Sequence, residues 1–454
     1  MKITNPATGE VFKEIADDTT ASIQSKYQKL KEVQHVWAAM PLEIRVKCMK
    51  SFADILEGNA AQLAAILTSE VGKPLQQSKN ELSGARARIK WLADNALKYL
   101  SDEVMVQDPK MEERISYEPL GVIGNISAWN YPYLVGVNVF VPALLAGNTV
   151  LYKPSEFASL TGLEIANALY EAGVPINVFQ VAIGTKEAGE ALLDLPLDGY
   201  FFTGSFKTGK YIYERIAPKM VPCQCELGGK DPLYVADDIA DVKSVAAGTA
   251  DGAFYNSGQS CCAVERIYVH EKVYDQYVDE FVKEVKTYKL GAPEESGVYV
   301  GPLTRASQLD VLTQQVNDAV SKGASVLTGG KKASRKGFYF EPTVLTNVTH
   351  DMSIMREESF GPVIGIMKVK NDDEAVRLMS DTEYGLTAAV YSSNKSRAEW
   401  ILSKVDVGTG YWNCCDRVSA AVPWSGRKHS GFGSTLSHAG LRAFTKPKSY
   451  QLRG

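Results

Sequence analysis

No Cys-x2-Cys spacing occurs in this sequence, histidine is scarce, and no stretch is apolar for long enough to cross a bilayer. Each absence removes a class of protein. The five histidines (His35, His270, His350, His429 and His438) are scattered and the cysteines are not paired at metal-binding spacing, so zinc is disfavoured and no metal is assigned. The cysteines number seven, an odd count, and the opening MKITNPATGE has no basic segment leading into an apolar one. A disulfide framework is therefore not expected, and the reading is of a cytoplasmic protein. The most apolar stretch, Val135 to Gly147, is interrupted by Asn138 and Pro142 and falls short of the ~20 residues that span a bilayer. Lysine plus arginine number 49 against 53 aspartate plus glutamate, a net charge of -4 without a basic run, which argues against a nucleic-acid partner. No internal repeat or low-complexity segment interrupts the chain.

What is present is length and alternation. At 454 residues, two or three domains of roughly 100 to 200 residues are expected, with a cleft between them. The first hundred residues read as helical scaffold, with apolar residues at three- and four-residue spacing over Ile44 to Leu56, Ala60 to Val71 and Asn80 to Tyr99. From Gly121, short β-branched runs (Val122 to Ile126, Thr149 to Tyr152, Val178 to Val181, Tyr200 to Phe202) alternate with amphipathic stretches, which predicts βαβ units and a mostly parallel sheet. A second such series starts near Pro232. The segment Val104 to Tyr117 and the last dozen residues fit neither series and read as an accessory hairpin. Because an exposed strand edge is a liability, that hairpin is expected to pair with another subunit.

Near the middle of the chain, Asn256-Ser257-Gly258-Gln259-Ser260-Cys261-Cys262 sets a thiol in a polar turn, 35 residues after the carboxylate of Cys225-Glu226-Leu227-Gly228-Gly229-Lys230. A cysteine can attack a carbonyl carbon and hold it as a thioester, and a separately anchored carboxylate can activate the water that releases the product. Each residue alone would pass for a small buried hydrophobe and a surface acid.

Cofactor signals accompany them. Gly204-Ser205-Phe206-Lys207-Thr208-Gly209-Lys210-Tyr211 nearly matches the phosphate loop of nucleotide hydrolases, but Tyr211 stands where Ser or Thr must hold magnesium. What survives is a strand, a Thr-Gly-Ser turn and a helix whose free N–H groups suit a dinucleotide pyrophosphate. Lys153-Pro154-Ser155-Glu156 follows another strand, at the end of a parallel sheet where open α/β folds bind ligands. Lys153 and Glu156 there suit a ribose. Because Glu156 would repel a 2′-phosphate, NAD is favoured over NADP.

Together the motifs Trp129-Asn130-Tyr131-Pro132, Lys153-Pro154-Ser155-Glu156, Phe202-Thr203-Gly204-Ser205, Glu226-Leu227-Gly228-Gly229-Lys230, Gly258-Gln259-Ser260-Cys261, Glu358-Ser359-Phe360-Gly361-Pro362-Val363 and Ser430-Gly431-Phe432-Gly433 resemble, in order, those of the aldehyde dehydrogenase superfamily. The resemblance implies an α/β fold: a Rossmann-type cofactor domain (1–103 and 118–228), an α/β catalytic domain (229–440) and small β oligomerisation segments (104–117 and 441–454). It implies that Cys261 is the nucleophile with Cys262 its neighbour, that Glu226 is the general base, and that Asn130 and the Cys261 N–H stabilise the oxyanion. Ser127, Trp129, Lys153, Ser155, Glu156, Gly204, Ser205, Gly209, Leu227, Glu358 and Phe360 become the residues around an NAD or NADP cofactor. A homodimer, or a tetramer built from dimers, is implied. Since members that pass the acyl group to coenzyme A generally lack a carboxylate at the position of Glu226, a hydrolytic oxidation of aldehyde to acid is expected.

Departures from the family pattern are Ala128 for a proline, Ser425 for a glycine, Val139 for a lysine and Ser434-Thr435 for Arg-Glu. The substrate, a small aldehyde, is expected to lie near Tyr133, Asn138, Tyr255 and the loop Asp416 to Val422, which carries Arg417. Arg417 suits the carboxylate of a semialdehyde such as succinic semialdehyde. The alternatives are a broad-specificity aliphatic aldehyde dehydrogenase and an idle structural relative, against which the intact Cys261, Glu226 and Asn130 argue.

Overall fold

The computed structural model describes residues 1–454. Five parallel strands, Val122–Ile126, Thr149–Lys153, Phe179–Val181, Gly199–Thr203 and Cys223–Glu226, form the first sheet. The chain steps outward from Val122–Ile126 to its first two neighbours, then returns to place Gly199–Thr203 and Cys223–Glu226 on the other side. That reversal opens a crevice at the carboxyl ends of the strands, the usual ligand position in an open α/β sheet. Pro132–Leu145 and Ser159–Glu171 are crossover helices, and the former begins on a proline, whose fixed φ and missing N–H suit a first helical turn.

Helices Leu42–Gly58, Ala60–Val71 and Leu75–Leu100 form the scaffold that the sequence spacing predicts. An earlier helix, Thr20–Ala39, and an N-terminal hairpin, Lys2–Asn5 with Glu10–Glu14, were not foreseen. That helix buries only Ile23, Tyr27, Leu30 and Trp37, too thin a stripe to stand out in sequence.

The second sheet has seven strands, in the order Ser325–Thr328, Thr343–Thr346, Val363–Val369, Val264–His270, Asp231–Val235, Thr387–Tyr391, Thr409–Trp412, and only Ser325–Thr328 is antiparallel. Its two faces carry separate apolar clusters. A three-stranded antiparallel sheet completes the fold: Met111–Pro119 lies between Glu103–Asp108 and the C-terminal strand Thr445–Arg453. The accessory hairpin therefore gains a third strand. The expected catalytic span 229–440 needs correction, because Gly431–Phe432 leaves that unit and pairs antiparallel with Cys223–Glu226 of the first sheet, Gly431 opposite Glu226. Gly431 permits this, for its φ is 108° and a Cβ there would run into the Cys225 carbonyl oxygen.

Candidate active site

A cleft of about 1040 Å³ runs between the two sheets, and Cys261, Glu226 and Asn130 all open onto it. Cys261 sits just before the strand Val264–His270, in a turn where Asn256, Ser257 and Gly258 all adopt positive φ (54°, 56° and 69°). Gly258 packs against the Gly361 carbonyl, so a Cβ there would collide with backbone. The turn is pinned from across the cleft: Asn130 Nδ2 donates to the Gln259 carbonyl at 3.1 Å, and Asn256 Nδ2 donates to the Asn130 carbonyl at 3.2 Å. The loop after Val122–Ile126 is thus tied to the thiol turn, which leaves Asn130 a second amide hydrogen for an oxyanion. Asn130→Ala is expected to lower kcat by about 10²–10³ in steady-state assays.

The Cys262 thiol donates to Asp416 Oδ1 at 3.1 Å and is buried. Its contact with Cys261, its burial and the Asp416 charge push its pKa well up, holding it as a thiol. Of the adjacent pair, only Cys261 is partly exposed to the cleft.

Glu226, at the end of Cys223–Glu226, accepts hydrogen bonds on Oε1 from Thr435 Oγ1 (3.1 Å) and Gln224 Nε2 (3.3 Å), while the buried Oε2 has no partner. Burial pushes its pKa up to about 8 against those two hydrogen bonds. An unpartnered, desolvated carboxylate oxygen that shares a cleft with a thiol is suited to take a proton from water. Thr435 stands at a departure from the family pattern, and a motif comparison gives no hint of its role on Glu226.

The residues expected around a cofactor come from the first sheet's carboxyl ends and from the turn before Val363–Val369 of the second sheet. Ser127, Trp129, Lys153, Ser155, Glu156, Gly204, Ser205, Leu227, Glu358 and Phe360 all line the cleft. Ser205 caps the helix Phe206–Ile216, accepting from the Thr208 N–H. Glu358 Oε1 accepts from the Gly229 N–H at 3.2 Å, and burial with the nearby Glu265 charge raises its pKa to about 7. Phe360, at φ 47°, packs edge-on to Trp129 with ring centroids 5.4 Å apart. Behind this turn lies a layer that sequence reasoning missed: Lys230 pairs with Glu265 at 2.5 Å, and Glu265 accepts from the Ser359 and Phe360 N–H groups. A dinucleotide fits these residues. The Ser127 hydroxyl is buried without a partner, and Lys153 Nζ bonds only the carbonyl of its neighbour Pro154, so both keep donors for a ligand. Tyr211 donates to Glu190.

Two expected residues are elsewhere. Gly209 does not line the cleft; it lies inside the helix Phe206–Ile216 where a side chain would strike Leu227, so it allows close helix–strand approach. Tyr133 is fully buried in the core of the first unit, and Tyr131, just before the helix, faces the cleft instead. Asn138, Tyr255, Arg417 and, from the expected loop, Asp416 line the cleft, where Arg88 and Trp424 join them unforeseen.

A thiol and a carboxylate sharing one cleft with a dinucleotide-type crevice point to the class of nicotinamide-dependent oxidoreductases. The aldehyde dehydrogenase family matches residues 1–450, so the chain belongs to it. It is 36% identical to an aminoaldehyde dehydrogenase of Arabidopsis thaliana, named as chloroplastic, over 100% of this chain and 92% of that protein. Its fold superposes on that of an NADP-dependent enzyme of E. coli with a TM-score of 0.97 at 28% identity, covering 100% of this chain and 94% of that one. A betaine aldehyde dehydrogenase of Staphylococcus aureus in complex with NAD+ gives a TM-score of 0.95 at 29% identity, covering 100% and 91%. The protein is an NAD(P)-dependent enzyme that oxidises aldehydes to acids. No helix is long and apolar enough to cross a membrane.

Proposed function

We propose that Cys261 carries the acyl group and Glu226 releases it, with the shared cleft as the observation that supports this reading. The Cys261 sulfur adds to the aldehyde carbon, and the oxygen's new charge is met by Asn130 Nδ2 and the Cys261 N–H. Bound nicotinamide supplies the acceptor for the hydride that leaves that carbon. Cys261 then holds a thioester. Glu226 takes a proton from water as the hydroxyl attacks, the C–S bond breaks, and a carboxylic acid departs. Coenzyme A has no part in this sequence.

For cofactor choice we favour NAD over NADP, because Glu156, which accepts from Ser155 Oγ at 3.2 Å, stands beside Lys153 at the ribose position. Aldehyde-dependent absorbance at 340 nm tests both points: kcat/KM with NAD+ is expected to exceed that with NADP+ at least about tenfold, and Glu156→Gln to narrow the gap. No signal with either cofactor would overturn the enzymatic reading, and a larger value with NADP+ the preference. For the substrate we take a semialdehyde whose carboxylate faces Arg417, an exposed arginine at the cleft mouth with no ion-pair partner. Assembly as a homodimer, or a tetramer of dimers, is supported by the three-stranded sheet, whose edge exposes Val104, Met105 and Leu452 (53%, 61% and 45%). Seven free cysteines suit a reducing compartment such as the cytoplasm.

A further inference from the structure

We infer that Arg88, held by Asn138, is the specificity-determining contact for the far end of the substrate, where it binds a carboxylate and disfavours cationic aldehydes. The inference rests on the semialdehyde reading and moves its anchor from the mouth of the cleft to its wall. Arg88 projects from the helix Leu75–Leu100 into the cleft that holds Cys261. Its Nη1 donates to Asn138 Oδ1 at 3.1 Å and to the Leu134 carbonyl at 3.3 Å. No carboxylate pairs with it, and its Nε and Nη2 make no bond. Arginine has only donors, so it turns the Asn138 amide oxygen toward itself and leaves Asn138 Nδ2 as a further donor to the cleft.

Of the acids that share the cleft, Glu81 alone pairs with a cation. Glu81 pairs with Lys73 and accepts from the Tyr133 N–H; Asp416 accepts from Ser260 and Cys262; Asp251 accepts from the Tyr299 hydroxyl. Asp416 and Asp251 are hydrogen-bonded only by uncharged donors, so the positive charge is local to the Arg88 guanidinium. Burial lowers the Arg88 pKa to about 10, which leaves it cationic at neutral pH. A planar fork with open donors fits a carboxylate, while an ammonium group in direct contact with it would meet like charge.

Three aldehydes on a four-carbon chain separate charge from size: succinic semialdehyde, butanal and 4-(trimethylammonio)butanal. With the unmodified enzyme, kcat/KM is expected to fall in that order, at least about tenfold at each step. Arg88→Met is expected to shrink the semialdehyde-to-butanal ratio at least about tenfold, and Arg88→Lys to keep part of it. Should the ratio survive Arg88→Met and collapse in Arg417→Ala, the mouth arginine carries the carboxylate and the assignment to Arg88 is overturned. Equal use of semialdehyde and butanal by the unmodified enzyme would overturn the semialdehyde reading itself. Independently of folding in the variants, succinate is expected to slow iodoacetamide alkylation of Cys261 in the unmodified enzyme, and n-butylamine not to; the opposite pattern would count against an anion site.

Discussion

Cys261→Ser is expected to lower kcat/KM for any aldehyde at least about a thousandfold, with NAD+ binding retained. An alcohol is a far weaker nucleophile than a thiolate at neutral pH, and no other group stands ready to replace it. Cys262 is next in sequence, but Asp416 holds its thiol and burial keeps it protonated. Cys262→Ser should therefore remain within about tenfold of the unmodified enzyme. Stopped-flow absorbance at 340 nm checks both, and a residual rate in Cys261→Ser that disappears on further replacing Cys262 would assign the chemistry to the wrong sulfur.

Glu226→Gln is expected to separate the two half-reactions. Hydride transfer needs Cys261 and Asn130, so a burst of about one NADH per site should persist, while steady-state turnover falls about 10²–10⁴ because no group takes the proton from water. With the Glu226 pKa at about 8, the active, ionised form grows as pH rises, so the deacylation rate of the unmodified enzyme should climb through about pH 8. Stability runs the opposite way. The folded state holds a proton that the unfolded chain, near its ordinary 4.5, releases, so this carboxyl costs stability progressively from about pH 5 upward until it ionises above about 8. The Tm of Glu226→Gln should then match that of the unmodified protein at pH 5 and exceed it at pH 9. A burst abolished together with turnover would place Glu226 in hydride transfer instead.

Much of the site was legible in sequence because its groups sit in short motifs, each at the end of a strand. Strand alternation placed Lys153 and Gly204 at the ends of strands, and the family resemblance supplied Ser127 and Glu226 and separated Cys261 from Cys262. Tyr133 failed for a local reason: two residues into a helix, its side chain turns inward, whereas Tyr131 lies ahead of the helix and faces the cleft. Gly209 failed because a glycine near a phosphate-type turn can serve packing as well as a ligand. Arg88 and Thr435 carried no signal, since each meets its partner across 50 and 209 residues of chain respectively.

The sequence alone determined the chemistry, a thiol and a base beside a dinucleotide crevice, because nucleophile turns and phosphate turns need particular residues within a few positions of one another. Tertiary structure alone decided how that chemistry is tuned and aimed. Burial and the partnership with Thr435 set the proton affinity of Glu226, and the docking of the helix Leu75–Leu100 against the helix Pro132–Leu145 puts an unpaired guanidinium on the substrate wall. Desolvation and charge balance depend on what surrounds a group from every side, and distant segments supply those surroundings only once the chain has folded.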